Sequence, residues 1–377
     1  MLAAEDPSTT FVAQLTPPGR GALATIALRG PNAHRFAKAC LVEPITVADL
    51  AKRPWLRTFR TAHNAGEELV VAFPHEQEAR LHCHGGAAAC EAVLTALESQ
   101  GAVCITWQEW ATKTTTDAVA AAAAIALPAA LTERAALILL DQFQGALSNE
   151  IEVIGDLLCS PKFIDEAIAR LDDLLSRAAF GMHLTQPWRV VIAGKPNAGK
   201  SSLLNALLGF QRSIISELPG TTRDVVTART AFEGWPVELR DTAGLRDSSD
   251  ELEVAGVELA RHEMATADLF LHVVAANESF TEDEHVSNSM LVRTKGDLVS
   301  RADQQTVIAG MLVSSVTRQG LPELMQAIAK RLVPRVPPAR AAVPFTLQQT
   351  EQLQACREVI EHDSLQAKEI LQAMLLD

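Results

Sequence analysis

Between Phe11 and about Trp110, short β-branched runs, Ala24-Thr-Ile-Ala-Leu28 and Leu69-Val-Val-Ala-Phe73, alternate with helical stretches such as Ala87 to Ser99. That mixture predicts an N-terminal α+β domain. From Thr115 to about His183 apolar residues recur at intervals of three and four, as in Ile164, Ile168, Leu171, Leu174 and Leu175, and helices are expected throughout. The alanine-rich run Ala118 to Leu131 is fourteen residues long and interrupted by Pro128, so it reads as buried helix and not as a bilayer span. The rhythm changes after Gln186-Pro187. Arg189-Val-Val-Ile-Ala193, Pro236-Val-Glu-Leu-Arg240, Met290-Leu-Val292 and Met311-Leu-Val313 are short apolar runs that predict buried strands. Between the first two lies Ser202-Leu-Leu-Asn-Ala-Leu-Leu208, a helical leucine pattern that Gly209 is expected to stop. A helix from Leu321 to Leu332 closes this region, Pro334, Pro337 and Pro338 read as a stiff linker, and Thr346 to Leu376 reads as helix again. The expected plan is an N-terminal domain over 1–112, a helical domain in two halves, 113–185 and 336–377, and an α/β domain over 186–335 inserted between those halves.

Chemistry enters at the first strand-to-helix turn of the inserted domain. Gly194-Lys-Pro-Asn-Ala-Gly-Lys200-Ser201 matches the P-loop pattern G-x-x-x-x-G-K-[ST], with a strand before it and a helix after it. Its glycines let backbone N–H groups of Asn197, Ala198, Gly199, Lys200, Ser201 and Ser202 wrap phosphates at a helix N-terminus. Lys200 would reach the β- and γ-oxygens, and the Ser201 hydroxyl would ligate Mg²⁺.

Further on, Asp241-Thr242-Ala243-Gly244 follows a strand-like run, so Asp241 emerges where a Walker-B acid holds Mg²⁺ through water and Gly244 offers its N–H to the γ-phosphate. Thr294-Lys295-Gly296-Asp297 resembles the N/T-K-x-D guanine-recognition motif. Asp297 would accept hydrogen bonds from guanine N1 and N2, and adenine presents no such donor pair, so GTP is favoured over ATP. Ser314-Ser315-Val316 resembles the S-A-K base-contacting loop, with substitutions at two of three places. Each short motif taken singly is a polar turn at a strand end; in this order, behind a P-loop, they specify a GTP-binding domain. The expected fold class is therefore α/β: a Ras-like P-loop GTPase domain with a mainly parallel sheet, inserted in a helical domain and preceded by an N-terminal α+β domain.

Gly220-Thr-Thr-Arg-Asp224, taken with Asp241-Thr-Ala-Gly-Leu-Arg246 and Asp250-Glu-Leu-Glu253, resembles the MnmE (TrmE) family of tRNA-modification GTPases. Thr16-Pro-Pro-Gly-Arg20-Gly21 and His82-Cys-His-Gly-Gly86 resemble two stretches of that family's N-terminal domain, so the likeness extends over nearly the whole chain. The resemblance implies GTP hydrolysis assisted by a potassium ion in place of an arginine finger. It places Asn197, Thr221 and the main chain around Ser216 and Leu218 at the potassium site, and Thr222 at the switch Mg²⁺ ligand. Glu253 would orient the attacking water through a second water; standing alone, it would read as a solvated helix-face carboxylate. A homodimer formed through the N-terminal domain, a flavoprotein partner of tRNA modification and tRNA reached through that partner are also implied.

Departures from the family cluster outside the GTPase motifs. At its folate positions, which hold an Arg, a Glu and another Arg, this chain has Ala27, Arg80 and Lys113, which counts against 5-formyltetrahydrofolate; Arg29 would project from the same strand face as Ala27 and is the candidate substitute. The family's Cys-x-Gly-Lys tail is replaced by Ala373-Met-Leu-Leu-Asp377, the C-terminal helical segment is short, and residues are missing after Trp110. Two functions of different kinds follow: a tRNA wobble-uridine modification GTPase, or a GTPase switch for ribosome or RNA-partner binding that has lost the folate and modification chemistry. Retained Asn197, Thr221 and Glu253 argue against a third, a scaffold without turnover.

Composition narrows the partners. A net charge of −13 and the lack of a basic run argue against strong nonspecific nucleic-acid binding. The start, Met-Leu-Ala-Ala-Glu-Asp, has no secretory-signal pattern, so cytoplasmic residence without membrane contact is expected. Cys40, Cys83, Cys90, Cys104, Cys159 and Cys356 show no zinc-type spacing and read as reduced thiols. His82 and His84 flank Cys83 on one strand face, an arrangement open to metal binding or to a plain turn into Gly85-Gly86.

Overall fold

The computed structural model describes residues 8–19, 21–43, 54–60, 66–210, 226–241, 267–278, 288–299 and 310–376. The chain divides into two compact units, Met1–Thr115 and Thr116–Asp377.

In the first unit the described residues include six strands: β1 (Phe11–Gln14), β2 (Leu23–Arg29), β3 (Trp55–Phe59), β4 (Glu67–His75), β5 (Glu78–His84) and β6 (Val103–Cys104). They pair in the order β3-β4-β5-β2-β1-β6, antiparallel except for β1 against β6. Period-two alternation divides their side chains between the faces. Val12, Ile26, Leu28, Leu81 and Cys83 face helices α1 (Ala33–Ala39) and α2 (Ala87–Ser99), meeting Phe36, Val93 and Leu97 in one core. On the opposite face Ala13 and Ala27 pack against Trp110 of α3 (Trp107–Thr114). A capping box starts α3: Thr106 Oγ1 accepts the Glu109 N–H while the Glu109 carboxylate accepts the Thr106 N–H. The Thr106 N–H first, and the Thr106 hydroxyl donating to the same carboxylate second, hold the Glu109 carboxyl below its ordinary range.

In the second unit β7 (Trp188–Ala193), β8 (Val226–Phe232), β9 (Trp235–Asp241), β10 (Leu269–Ala275), β11 (Ser289–Thr294) and β12 (Met311–Leu312) form a sheet ordered β12-β11-β10-β7-β9-β8. Every pairing is parallel except that of edge strand β8 with β9. Strands of a parallel sheet are covered on both faces, which is why β7 and β10 are nearly continuous apolar runs. The unit's helices are α4 (Ala118–Ala126), α5 (Glu133–Phe143), α6 (Ala146–Leu157), α7 (Ile164–Met182), α8 (Lys200–Phe210), α9 (Leu321–Leu332), α10 (Leu347–Val359) and α11 (Ser364–Leu376); α8 and α9 bury residues in the sheet core, and the others build a helical core.

Two expectations are revised. Gly209 does not stop α8, which runs to Phe210: a Cβ there would meet open space, so the glycine costs helix propensity without breaking the hydrogen-bond ladder. The segment Thr346 to Leu376 is not one helix but the pair α10 and α11, reversed at 360–363, where the Asp363 carboxylate caps the second helix by accepting the Leu365 and Gln366 N–H groups. Beyond the prolines the chain packs into the helical core. Ala342, Val343 and Phe345 are buried in the helical core, and Gln142 of α5 grips the segment by donating to Ala341 O at 3.0 Å and accepting from Val343 N at 3.1 Å. At Gly181 of α7 the segment comes so close that a Cβ would lie 1.7 Å from Pro344 O.

Candidate nucleotide site

The carboxyl ends of β7, β9, β11 and β12 carry the sequence-nominated groups that lie in described segments, the end of an open α/β sheet where ligands bind. The P-loop leaves β7 at Gly194, where a Cβ would stand 2.0 Å from Val273 O of β10, so only glycine passes. Asn197 takes a left-handed conformation, φ 62°, and Gly199 another at φ 91°. Ala198 is buried, and its carbonyl accepts a hydrogen bond from Thr294 Oγ1 at the end of β11. Thr294 is thus buried as a brace for the loop, while Asn197 and Ser202 are exposed. Lys200, 8% exposed, donates from Nζ to Lys195 O at 3.0 Å, which folds its ammonium back across the loop.

Strand β9 brings the acidic group in. Asp241 pairs in register with Ile192 of β7, is 3% exposed, and accepts the Ser201 hydroxyl at 2.8 Å on Oδ2. A hydroxyl and a carboxylate are hard oxygen donors of the kind magnesium takes.

At the other end of the site, Lys295 turns through φ 59° into a short 3₁₀ turn over Gly296–Leu298. Asp297 is exposed there, and its Oδ1 accepts the Ser314 hydroxyl at 2.6 Å. Ser314 Oγ in turn accepts the Thr317 N–H, and Gly296 N–H binds Val313 O, so the two loops are tied to each other. Ser315 is half-buried beside them. Sequence reasoning did not nominate Lys195, Thr317 or Val273, because each acts through a main-chain atom that residue identity does not disclose. Ser216, Leu218, Thr221, Thr222, Thr242, Ala243, Gly244 and Glu253 lie outside the described residues.

Elsewhere, no group of three or more His, Cys, Asp or Glu side chains placed to hold a metal occurs among the described residues. His82 lies 2.9 Å from Thr25 Oγ1; burial, then the charge of Arg80, lowers its pKa. No described helix is long and apolar enough to cross a membrane.

Comparison with known proteins points the same way. Residues 189–302 match the family model described as 50S ribosome-binding GTPase. The chain is similar to the tRNA modification GTPase MnmE of Akkermansia muciniphila, 32% identical over 94% of this chain and 88% of that protein. MnmE of Acinetobacter baumannii is 32% identical over 85% of this chain and 81% of its own length, and that of Chlamydia trachomatis 32% identical over 86% and 81%.

Proposed function

Since the chain belongs to the MnmE family of tRNA modification GTPases and is a P-loop GTP hydrolase, we propose that its hydrolysis is potassium-dependent and serves modification of the tRNA wobble uridine. The observation that carries the nucleotide reading is the pairing of Ser201 with Asp241 at one end of the strand termini and of Ser314 with Asp297 at the other. The first pair fits a magnesium ion, which Ser201 and Thr222 would ligate directly and Asp241 through water. Magnesium supplies charge neutralisation between the β- and γ-phosphates. Lys200 would exchange its bond to Lys195 O for phosphate oxygens, a local side-chain move that leaves the loop in place. Asp297, held by Ser314, would select guanine. Asn197 stands exposed at the loop crest, with a carboxamide oxygen suited to potassium together with Ser216, Leu218 and Thr221. Glu253 and Gly244 would complete the hydrolytic set by orienting water and holding the γ-phosphate.

GTP turnover in matched potassium and sodium buffers, with Asn197→Ala alongside, tests this reading. Stimulation by potassium that disappears in the variant is expected; equal rates in both salts would remove potassium from the mechanism. A homodimer through the N-terminal unit, with nucleotide-dependent pairing of the GTPase domains, belongs to the same reading, and a monomer by sedimentation in every nucleotide state would overturn that part.

One observation favours the second reading, a switch for ribosome or RNA-partner binding. Ala27 is fully buried against Trp110, and Arg80 is paired with Glu78 at 2.7 Å, so two positions that resemble the family's folate site offer an apolar wall and an engaged guanidinium. These residues do not fit folate. Equilibrium dialysis against 5-formyltetrahydrofolate separates the two, since saturable binding counts against the switch and its absence against the modification enzyme.

A further inference from the structure

The hairpin of β8 and β9 touches the nucleotide site at one end and the helical part of the unit at the other. Its turn, Glu233-Gly234, has positive φ at both residues, 51° and 80°, the two-residue geometry that suits the strand twist. Arg134 of α5 closes on this turn, donating from Nη1 to Glu233 O at 2.8 Å and laying its guanidinium 4.2 Å from the centroid of the Trp235 ring. A Cβ on Gly234 would come within 3.3 Å of Arg134 Cδ, so glycine permits the approach as well as the turn. Phe180 of α7 meets Trp235 edge to face at 5.3 Å, and Ile138, one turn beyond Arg134, packs against both the sheet core and the helical core. Midway along the hairpin Glu238, 5% exposed, takes Arg229 from the facing strand at 3.1 Å and Arg240 at 2.7 Å, which ties the two strands together. At the far end stands Asp241, bonded to Ser201. In the chain, β8 directly follows the segment holding Thr222, and β9 directly precedes the one holding Gly244.

We propose that Arg134, a helical-domain residue remote in sequence from every GTPase motif, is a positioning residue for hydrolysis: its grip on the β8–β9 turn sets how Asp241 stands against Ser201 of the P-loop. The inference rests on the GTPase reading above. A rod stiffened at its middle and seated in the phosphate site cannot shift at its foot without shifting at its tip, where Arg134 supplies the hydrogen bond and Phe180 and Ile138 supply apolar packing. Nucleotide state and helical-domain arrangement are thereby coupled at the hairpin's turn.

The test measures GTP kcat and KM per nucleotide-binding site, GDP affinity, and hydrogen exchange of the Trp235–Asp241 amides in the GDP complex. The proteins are the parent, Arg134→Ala, Arg134→Lys and, as a same-helix control, the exposed Leu137→Ala. Arg134→Ala should lower kcat by roughly tenfold while KM and GDP affinity stay within about twofold. It should also speed exchange in β9. Arg134→Lys, whose ammonium still lies over the indole, should recover part of both, and Leu137→Ala should match the parent. A kcat per site unchanged in Arg134→Ala overturns the proposal, as does a joint loss of kcat and GDP affinity that lysine fails to rescue. If Arg134→Ala does not fold, Arg134→Lys is judged against the parent on the same readouts. Should the parent itself show no turnover, the GTPase reading fails on its own account. The exchange comparison then decides the coupling, with unchanged β9 exchange overturning it.

Discussion

Gly194 and Ser314 are the two residues at which single-atom geometry most constrains the nucleotide site. A methyl group at Gly194 would have to share space with Val273 O, 2.0 Å away in backbone that the sheet cannot give up. Gly194→Ala is therefore expected to abolish GDP binding in isothermal titration, and retained binding would mean that β10 can yield. Ser314→Ala removes the hydroxyl that orients Asp297, a bond to a charged acceptor, and should weaken GDP by roughly tenfold. Displacement of a fluorescent GDP analogue reads this directly, and unaltered affinity would show that Asp297 is positioned without Ser314. Both residues stood out in the sequence as members of motifs. What they work against did not, because Val273 O is a main-chain atom of a distant strand and the Asp297–Ser314 bond joins two loops across seventeen positions.

Among the elements, the segment after α9 and the β8–β9 hairpin illustrate how buried polar groups make irregular chain specific. Gln142 is fully buried and satisfied at both ends of its amide, by Ile138 O, Ala341 O and Val343 N–H. Gln142→Leu fills the space yet orphans the two backbone groups of the segment, and should destabilise by about 2–3 kcal/mol in urea unfolding; a smaller loss would mean the segment finds water. Glu238 carries the hairpin's pH dependence. Burial alone would push its carboxyl up, but hydrogen bonds from Arg240 and Arg229, and their charges, outweigh that and hold it below its ordinary value of 4.5. A lowered folded-state value stabilises the fold fully above the unfolded value and loses that contribution as pH falls through the folded one. Urea midpoints should accordingly fall on acidification below the carboxylate range, and Glu238→Gln should flatten that part of the profile. Strand β9 was legible from the run Pro236 to Arg240, whereas edge strand β8, with polar residues interrupting its apolar ones, was not singled out. The break between α10 and α11 was not, since no glycine or proline interrupts 346–376 and the reversal is set by Asp363 acting as a cap.

For the whole molecule, the defining feature is a helical core assembled from chain on both sides of the nucleotide-binding sheet. Val119, Leu139, Leu147, Ile151, Leu171 and Leu174 share it with Leu353, Cys356, Ile360, Leu371 and Met374. Burial without a partner charge raises the Cys356 thiol to about 11, so this cysteine is an inert part of that core. Ending the chain at Phe345 would strip one wall from helices some two hundred positions earlier. Exposed apolar surface, read by dye binding, and loss of a single cooperative urea transition are the expected results. An unchanged transition would show that α4 to α7 close on themselves. The sequence alone was enough to identify the nucleotide, the strand-to-helix order of the phosphate loop and the α/β class, because these depend on residue type, spacing and turn chemistry over a few positions. Only the tertiary structure decided that Gln142 clasps residues 341–343, that Gly181 admits Pro344, and that Arg134 holds the turn at Glu233-Gly234. Such contacts join positions about a hundred or more apart, and packing selects them only after each partner has been presented by its own helix or strand, so local periodicity bears no trace of them.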